Sequence, residues 1–263
     1  LGCDTGALQI QTAGDTFIEG GPADAAFVDG GGVVVSKFLV VITDAVIQGD
    51  LGDAGGLAAP VVIDIHQAGP HEIFLQEGVA AGAYPKASVS VGPADDSAIP
   101  ANASVDDTAI MADQAFSVLI EGQIRSQPGE QNEQVEKTFS WGLRSNTRYV
   151  DCTLTTGEPG VEVPSGAGVI WTVGWVGARL FSDDLSPTEA GQLRVQSIID
   201  ADRNDDGVVD TDELVAVDLE DVPAGLYNTR GASTVVTLFD FIEAQSGTMV
   251  RHSDGGPCTP ERR

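Results

Sequence analysis

The sequence predicts a mainly β protein, an antiparallel β-sandwich followed by a C-terminal helical segment built around one acidic twelve-residue loop. Three observations predict it. Up to about residue 180 the chain consists of short runs rich in Val, Ile, Thr and Phe, separated by Gly, Pro, Asp and Asn, as strands and turns are. At Ser186 the pattern changes from a period of two to a helical one. A chain of 263 residues, 42% of them hydrophobic, is also long enough for one large β domain, or two modest ones, with a well-buried core.

Taken in order, the candidate strands are Ala7 to Thr12, Gly32 to Gln48, Val61 to Ile65, His71 to Leu75 and Lys86 to Val91. They continue with Ala115 to Ile124, Glu136 to Leu143, Arg148 to Leu154 and Val169 to Val176. Phe116, Val118 and Ile120 lie on one apolar face, with Ser117 and Glu121 nearer the polar one, so two layers follow naturally. Gly92 to Asp113, rich in Ala, Asp, Ser and Pro, reads as a long loop, and Asn102-Ala103-Ser104 within it as a sequon without consequence.

Ser186-Pro187-Thr188-Glu189 has the ingredients of a capping box, which starts a helix running to about Ala201 with Leu193 and Ile198 facing inward; Gly191 weakens it by roughly 1 kcal/mol. A second helix begins near Asp212. A third follows from Val235, Leu238, Phe239 and Ile242, spaced i, i+3, i+4 and i+7, with Gly247 at its stop, and packs onto the sheet. The segments are thus residues 1–180, 181–219 and 220–263.

Only 13 Lys plus Arg stand against 40 Asp plus Glu, and the net charge of −27 repels phosphate backbones and anionic lipid headgroups. Nucleic acid is excluded as a partner class, whereas cations and basic surfaces fit; the plain reading of the acidity is a solvated coat. No apolar run approaches the ~20 residues that span a bilayer, since Val33 to Ile42 is broken by Ser36 and Lys37. Cys3, Cys152 and Cys258 are too far apart for a zinc site and fit a disulfide with one cysteine left over. Leu1-Gly2-Cys3 resembles the end of a lipoprotein cleavage site, so Cys3 is either a lipid anchor or an ordinary thiol or disulfide partner.

The chemistry is concentrated in Asp202-Arg203-Asn204-Asp205-Asp206-Gly207-Val208-Val209-Asp210-Thr211-Asp212-Glu213, which fits the EF-hand template at every constrained position. Ca2+ is a hard cation that takes six to eight oxygens. Asp202, Asn204 and Asp206 supply side-chain oxygens from alternate positions, Gly207 permits the turn, and Val208 offers its carbonyl. Asp210 binds directly or through water and Glu213 closes the shell with both oxygens. Val209 packs inward, while Asp205 and Asp212 point outward and add charge. The competing reading is an acidic turn that binds nothing. Because there is one loop where regulatory sensors pair two, a stabilising clamp is expected in preference to a switch.

Other constellations are weaker. His66 and His71 bracket a turn and, with His252, are the imidazoles open to copper or base chemistry, although polar residues at a strand end is the plainer reading. Trp141, Trp171 and Trp175 read as core, with a sugar-stacking face as the alternative. No nucleophile elbow, Walker loop, Cys-x-x-Cys or His-Glu-x-x-His pattern occurs, so no enzyme is expected.

The order of Val33 to Gln48, Gly82-Ala83-Tyr84-Pro85, Ile120-Glu121-Gly122, Phe139-Ser140-Trp141 and Gly255-Gly256-Pro257-Cys258 resembles a group of uncharacterised extracytoplasmic bacterial EF-hand proteins, often predicted lipoproteins. Arg179-Leu180-Phe181-Ser182-Asp183-Asp184-Leu185, followed by the helix and the Asp202 to Glu213 loop, carries the likeness furthest. The group is distantly similar to MbnP-like periplasmic proteins, some linked to copper handling, with a β-sandwich fold. Histidines of those proteins are replaced here by Val176-Gly177-Ala178-Arg179, which departs from a transition-metal site. The resemblance implies a Cys152–Cys258 pair. It points to a calcium-binding structural or interaction protein of the envelope or a surface assembly, located in the periplasm, on the outer membrane surface or secreted. A copper-handling protein or a glycan-binding module are the alternatives.

Overall fold

The structure is a computed structural model that describes residues 4–20, 27–127, 134–153, 160–186, 191–252 and 256–263. Its strands begin with β1 (Thr5–Gly14), β2 (Gly32–Gly49), β3 (Gly52–Gly55), β4 (Val61–Asp64), β5 (His71–Ala80), β6 (Gly82–Tyr84), β7 (Lys86–Val91) and β8 (Ile99–Pro100). They continue with β9 (Val118–Arg125), β10 (Glu136–Leu143), β11 (Thr147–Val150), β12 (Val161–Val163), β13 (Gly168–Trp175), β14 (Val208–Asp210), β15 (Val250–His252) and β16 (Thr259–Arg262). Helices are α1 (Thr16–Gly20), α2 (Val105–Asp113), α3 (Gln196–Ile199), α4 (Thr211–Val215) and α5 (Leu238–Ser246). With 46% strand and 16% helix the chain is mainly β.

One sheet has the order β15-β13-β1-β5; the larger runs β14-β10-β9-β2-β7-β11-β16, with β3 and β4 also pairing β2 and β8 pairing β4. Both turn a face to the same buried cluster. Leu8 and Ile10 of β1, Trp171 and Val173 of β13, Phe38, Val40 and Ile42 of β2, and Trp141 of β10 all belong to it. The sheets are mixed, which corrects the antiparallel expectation: β1 lies parallel to β13 from Ala7↔Gly168 to Gly14↔Trp175, and β10–β14 and β4–β8 are also parallel. Alternation in β1 settles which side chains face inward but carries no sign of strand direction.

Residues 38–42 of β2 are apolar without interruption because both faces are covered. Phe38, Val40 and Ile42 enter the shared core, while Leu39 and Val41 join a second cluster with Val62, Met111 and Leu119. Met111 comes from α2, inside the stretch 92–113 that reads as loop in the sequence. Ser104 caps this helix by accepting the Asp107 amide at 3.0 Å, and Lys37 Nζ lies 2.7 Å from Asp107 Oδ1, pinning the helix to β2. Ser117, placed on the polar side by its spacing, is buried and donates from its hydroxyl to the Leu143 carbonyl.

Among the described residues the expected helix from Ser186 to Ala201 is corrected to α3 alone. Pro187 and Glu189 of its capping box lie outside the described residues. Over 191–195 the chain is not helical: Arg194 N–H donates to the Phe181 carbonyl, Asp183 N–H to that of Gln192 and Val28 N–H to that of Leu193. A Cβ on Gly191 would stand 2.3 Å from Ser182 Oγ, so that approach needs glycine. Helix begins only where Asp29 Oδ2 accepts both the Val195 and Gln196 amides at 2.8 Å, a cap supplied from a distant part of the chain. Helix α5 forms as expected and ends at Gly247; it starts at Leu238 because Thr237 and Asp240 make a capping box, and Val235 instead packs in a turn against Phe241 and Ala244.

Cys152 and Cys258 are joined, as the resemblance implies. Between the sheets and α5, Asp184 accepts from Arg230 Nε at 2.7 Å and Nη2 at 2.8 Å, from Asn228 Nδ2 at 3.1 Å and from the Ser186 amide at 2.8 Å. The Arg230 guanidinium holds its carboxyl below the ordinary aspartate range. A carboxylate with a depressed folded pKa adds stability above its unfolded pKa and loses it as pH falls through the folded value. Asp184→Asn is therefore expected to lower the melting temperature at neutral pH, with the deficit closing as pH falls below about 4; a deficit constant with pH would refute the ionic contribution.

Candidate metal centre

The acidic loop is built against the open edge of the larger sheet. After Asp205 (φ +58°) and Gly207 (φ +83°) turn the chain through the left-handed region, β14 pairs with β10 from Thr138↔Val208 to Ser140↔Asp210. Thr138 N–H donates to the Gly207 carbonyl at 2.9 Å, and Trp141 Nε1 to the Val209 carbonyl at 2.9 Å. Val209 is fully buried in the shared core. The inward packing expected of this residue is met by the sheet, which stands where a second loop stands in paired sensors.

Within the loop, side-chain oxygens are committed largely to amides. Asp202 Oδ1 accepts Asp206 N–H at 3.2 Å and Oδ2 accepts Gly207 N–H at 3.0 Å; Asn204 Oδ1 accepts Asp206 N–H at 2.8 Å, and Asp206 Oδ1 accepts Val208 N–H at 2.8 Å. Asp210 caps α4 by accepting Glu213 N–H at 3.0 Å, while Glu213 Oε2 accepts Asp210 N–H at 3.3 Å. Among the described residues no group of three or more His, Cys, Asp or Glu side chains is gathered to hold a metal ion. Asp202, Asn204, Asp206, Val208, Asp210 and Glu213, the expected calcium ligands, follow one another around this loop, with the carboxylates and the Asn204 side chain bound to its own amides. Among the described residues the flanking helices are short, four residues before the loop and five after it, the second beginning at Thr211 beside the expected Asp212.

Two features set this loop apart from an ordinary acidic turn. Glu213 Oε1 is buried with no hydrogen-bond partner among the described residues. Such an acceptor is costly, by about 1–3 kcal/mol or more for a charged group, unless something satisfies it. Asp202, whose side chain is sealed from solvent, meets Lys137 Nζ at 2.6 Å, and the same ammonium lies 3.5 Å from the exposed Asp205. Hydrogen bonding to Lys137 holds the Asp202 carboxyl below its ordinary range, and hydrogen bonding to Asp202 holds the Lys137 ammonium above its own. Lys137 lies 65 residues from Asp202, and only the β10–β14 register brings them together, so no local pattern signals it.

The remaining candidates fall differently. His66 Nδ1 lies 2.7 Å from the Ile18 carbonyl; His71 Nε2 lies 2.8 Å from the Gln67 carbonyl and its Nδ1 3.1 Å from Asn102 Nδ2. His71 thus has both ring nitrogens engaged in the fold, and His252 is buried in β15 opposite Val173. Asn102 of the sequon is tied to both backbone polar groups of Asp64. Trp141, Trp171 and Trp175 are at most 1% exposed, so their rings fill the core and do not form a surface platform. Cys3 lies outside the described residues. No helix of the described residues is long and apolar enough to cross a membrane. Compared with protein-family models, with curated proteins and with solved structures, the chain matches none of them.

Proposed function

We propose that the Asp202–Glu213 loop binds one calcium ion that braces the helical segment against the sheet edge, and that the protein is an extracytoplasmic structural or interaction component, not a catalyst. In this reading the two sheets form a sandwich and α3, the loop and α4 make a compact EF-hand-like unit. The observation that carries it is the buried, unpartnered Oε1 of Glu213, the residue whose two oxygens close the shell in the calcium template. Support comes also from the donor set: Asp202, Asn204, Asp206, the Val208 carbonyl, Asp210 and Glu213 offer only oxygens, the ligands a hard cation prefers.

A disulfide and a strongly acidic surface fit an oxidising compartment beyond the cytoplasmic membrane, where calcium reaches millimolar levels. The role is scaffolding, with the acidic surface favouring basic protein partners in an envelope or surface assembly. Calorimetric titration of chelator-treated protein with calcium chloride tests the site. One ion per chain is expected, and absence of binding at millimolar calcium rejects the reading.

A further inference from the structure

We infer that Lys137 is an affinity-setting residue of the loop: its ammonium stands in for the divalent ion at Asp202 and must give way when calcium binds. This inference rests on the calcium reading above. Asp202 is the first side chain of the loop, fully withdrawn from solvent, with both oxygens accepting loop amides and Oδ2 also accepting from Lys137 at 2.6 Å. A buried carboxylate without a counter-charge is unfavourable, so some cation must sit there for the loop to keep its form.

Lys137 meets that need from outside the loop. Its side chain is 11% exposed, and β10 holds its base through the Glu136↔Arg125 to Leu143↔Val118 register with β9. Next to it, Thr138 grips the Gly207 carbonyl with its amide, and Trp141 grips that of Val209. Backbone and ammonium therefore hold the loop folded together. A single positive charge 2.6 Å from Asp202 and 3.5 Å from Asp205 repels an incoming divalent cation and competes for the same oxygen. Calcium binding becomes an exchange of one cation for another on a folded loop, tuned toward the weak affinities that suit calcium-rich surroundings.

The test uses the full chain with Lys137→Met, which removes the charge, and Lys137→Gln, which removes the charge but keeps a donor for Asp202. Calcium affinity is read by calorimetry and melting temperature is read both in chelator and in saturating calcium. Both variants are expected to bind calcium about tenfold more tightly than the native chain. Both should melt lower in chelator while matching the native chain in calcium, with Lys137→Gln the less affected. Native-like affinity in the variants, or an unchanged melt in chelator, overturns the inference and leaves the calcium site standing. If neither the native chain nor the variants bind calcium, the site itself fails. Should Lys137→Met not fold in chelator but fold in calcium, the stand-in role is supported directly.

Discussion

The double variant Cys152→Ser/Cys258→Ser is expected to be less stable than the native protein by about 4–5 kcal/mol, since the bridge closes a loop of sequence separation 106. That loop contains β12, β13, the acidic loop, α5 and β15, so the unfolded chain loses much freedom when it is closed. The native chain accepts the bond readily because β11 and β16 already pair antiparallel beside it, with Val150 opposite Thr259. Urea unfolding of the oxidised native protein and of the variant measures the difference. At this chain length the melting temperature should fall by roughly 10 °C. A loss below about 1 kcal/mol would mean that the sheet edge, not the covalent link, holds the C-terminal strand in place.

The second large effect concerns Glu213. Glu213→Gln is expected to reduce calcium affinity by more than the 10–100-fold that loss of an outer partner of a metal site produces, because a direct charged ligand is removed. The same variant should melt no lower than the native protein in chelator. It retains the carbonyl oxygen that can accept the Asp210 amide and removes the charge from a side chain whose Oε1 has no partner among the described residues. Opposite responses in the two conditions separate a ligand from a residue that merely caps α4. A loss of stability in chelator as large as in calcium would assign Glu213 to the capping box alone.

Much of the β architecture could be read from the chain. Strands β2, β4, β7, β10 and β13 lie within or close to their expected limits, because alternation and flanking turn residues are local signals, whereas β5 starts at His71 as expected but continues past Leu75 to Ala80. Direction and partner are not local, which is why the parallel β1–β13 pairing escaped. Helix α2 was hidden because its stretch has little apolar periodicity; its one indication, Ser104 followed three residues later by Asp107, is a weak capping signal that gains meaning only with Lys37 beneath it.

The region after Ser186 failed for the opposite reason. A plausible start and a helical spacing were present, but residues 192–194 bond to Phe181, Asp183 and Val28, and tertiary contacts override propensity. At the candidate site, the loop's turn at Gly207 and the inward Val209 followed from residue types at fixed spacing, while the Asp210–Glu213 capping pair emerged only in the fold. Lys137 did not, because its role depends on the register of β14 against β10.

Thermal unfolding of chelator-stripped protein, compared with and without added calcium, tests the central claim most directly. A ligand at 100 times its dissociation constant stabilises by about 2.7 kcal/mol, so the melting temperature should rise by roughly 5–10 °C and track calcium concentration. Superimposable melts across that range, with no heat of binding, would contradict the account and leave the Asp202–Glu213 loop as an acidic turn held by Lys137.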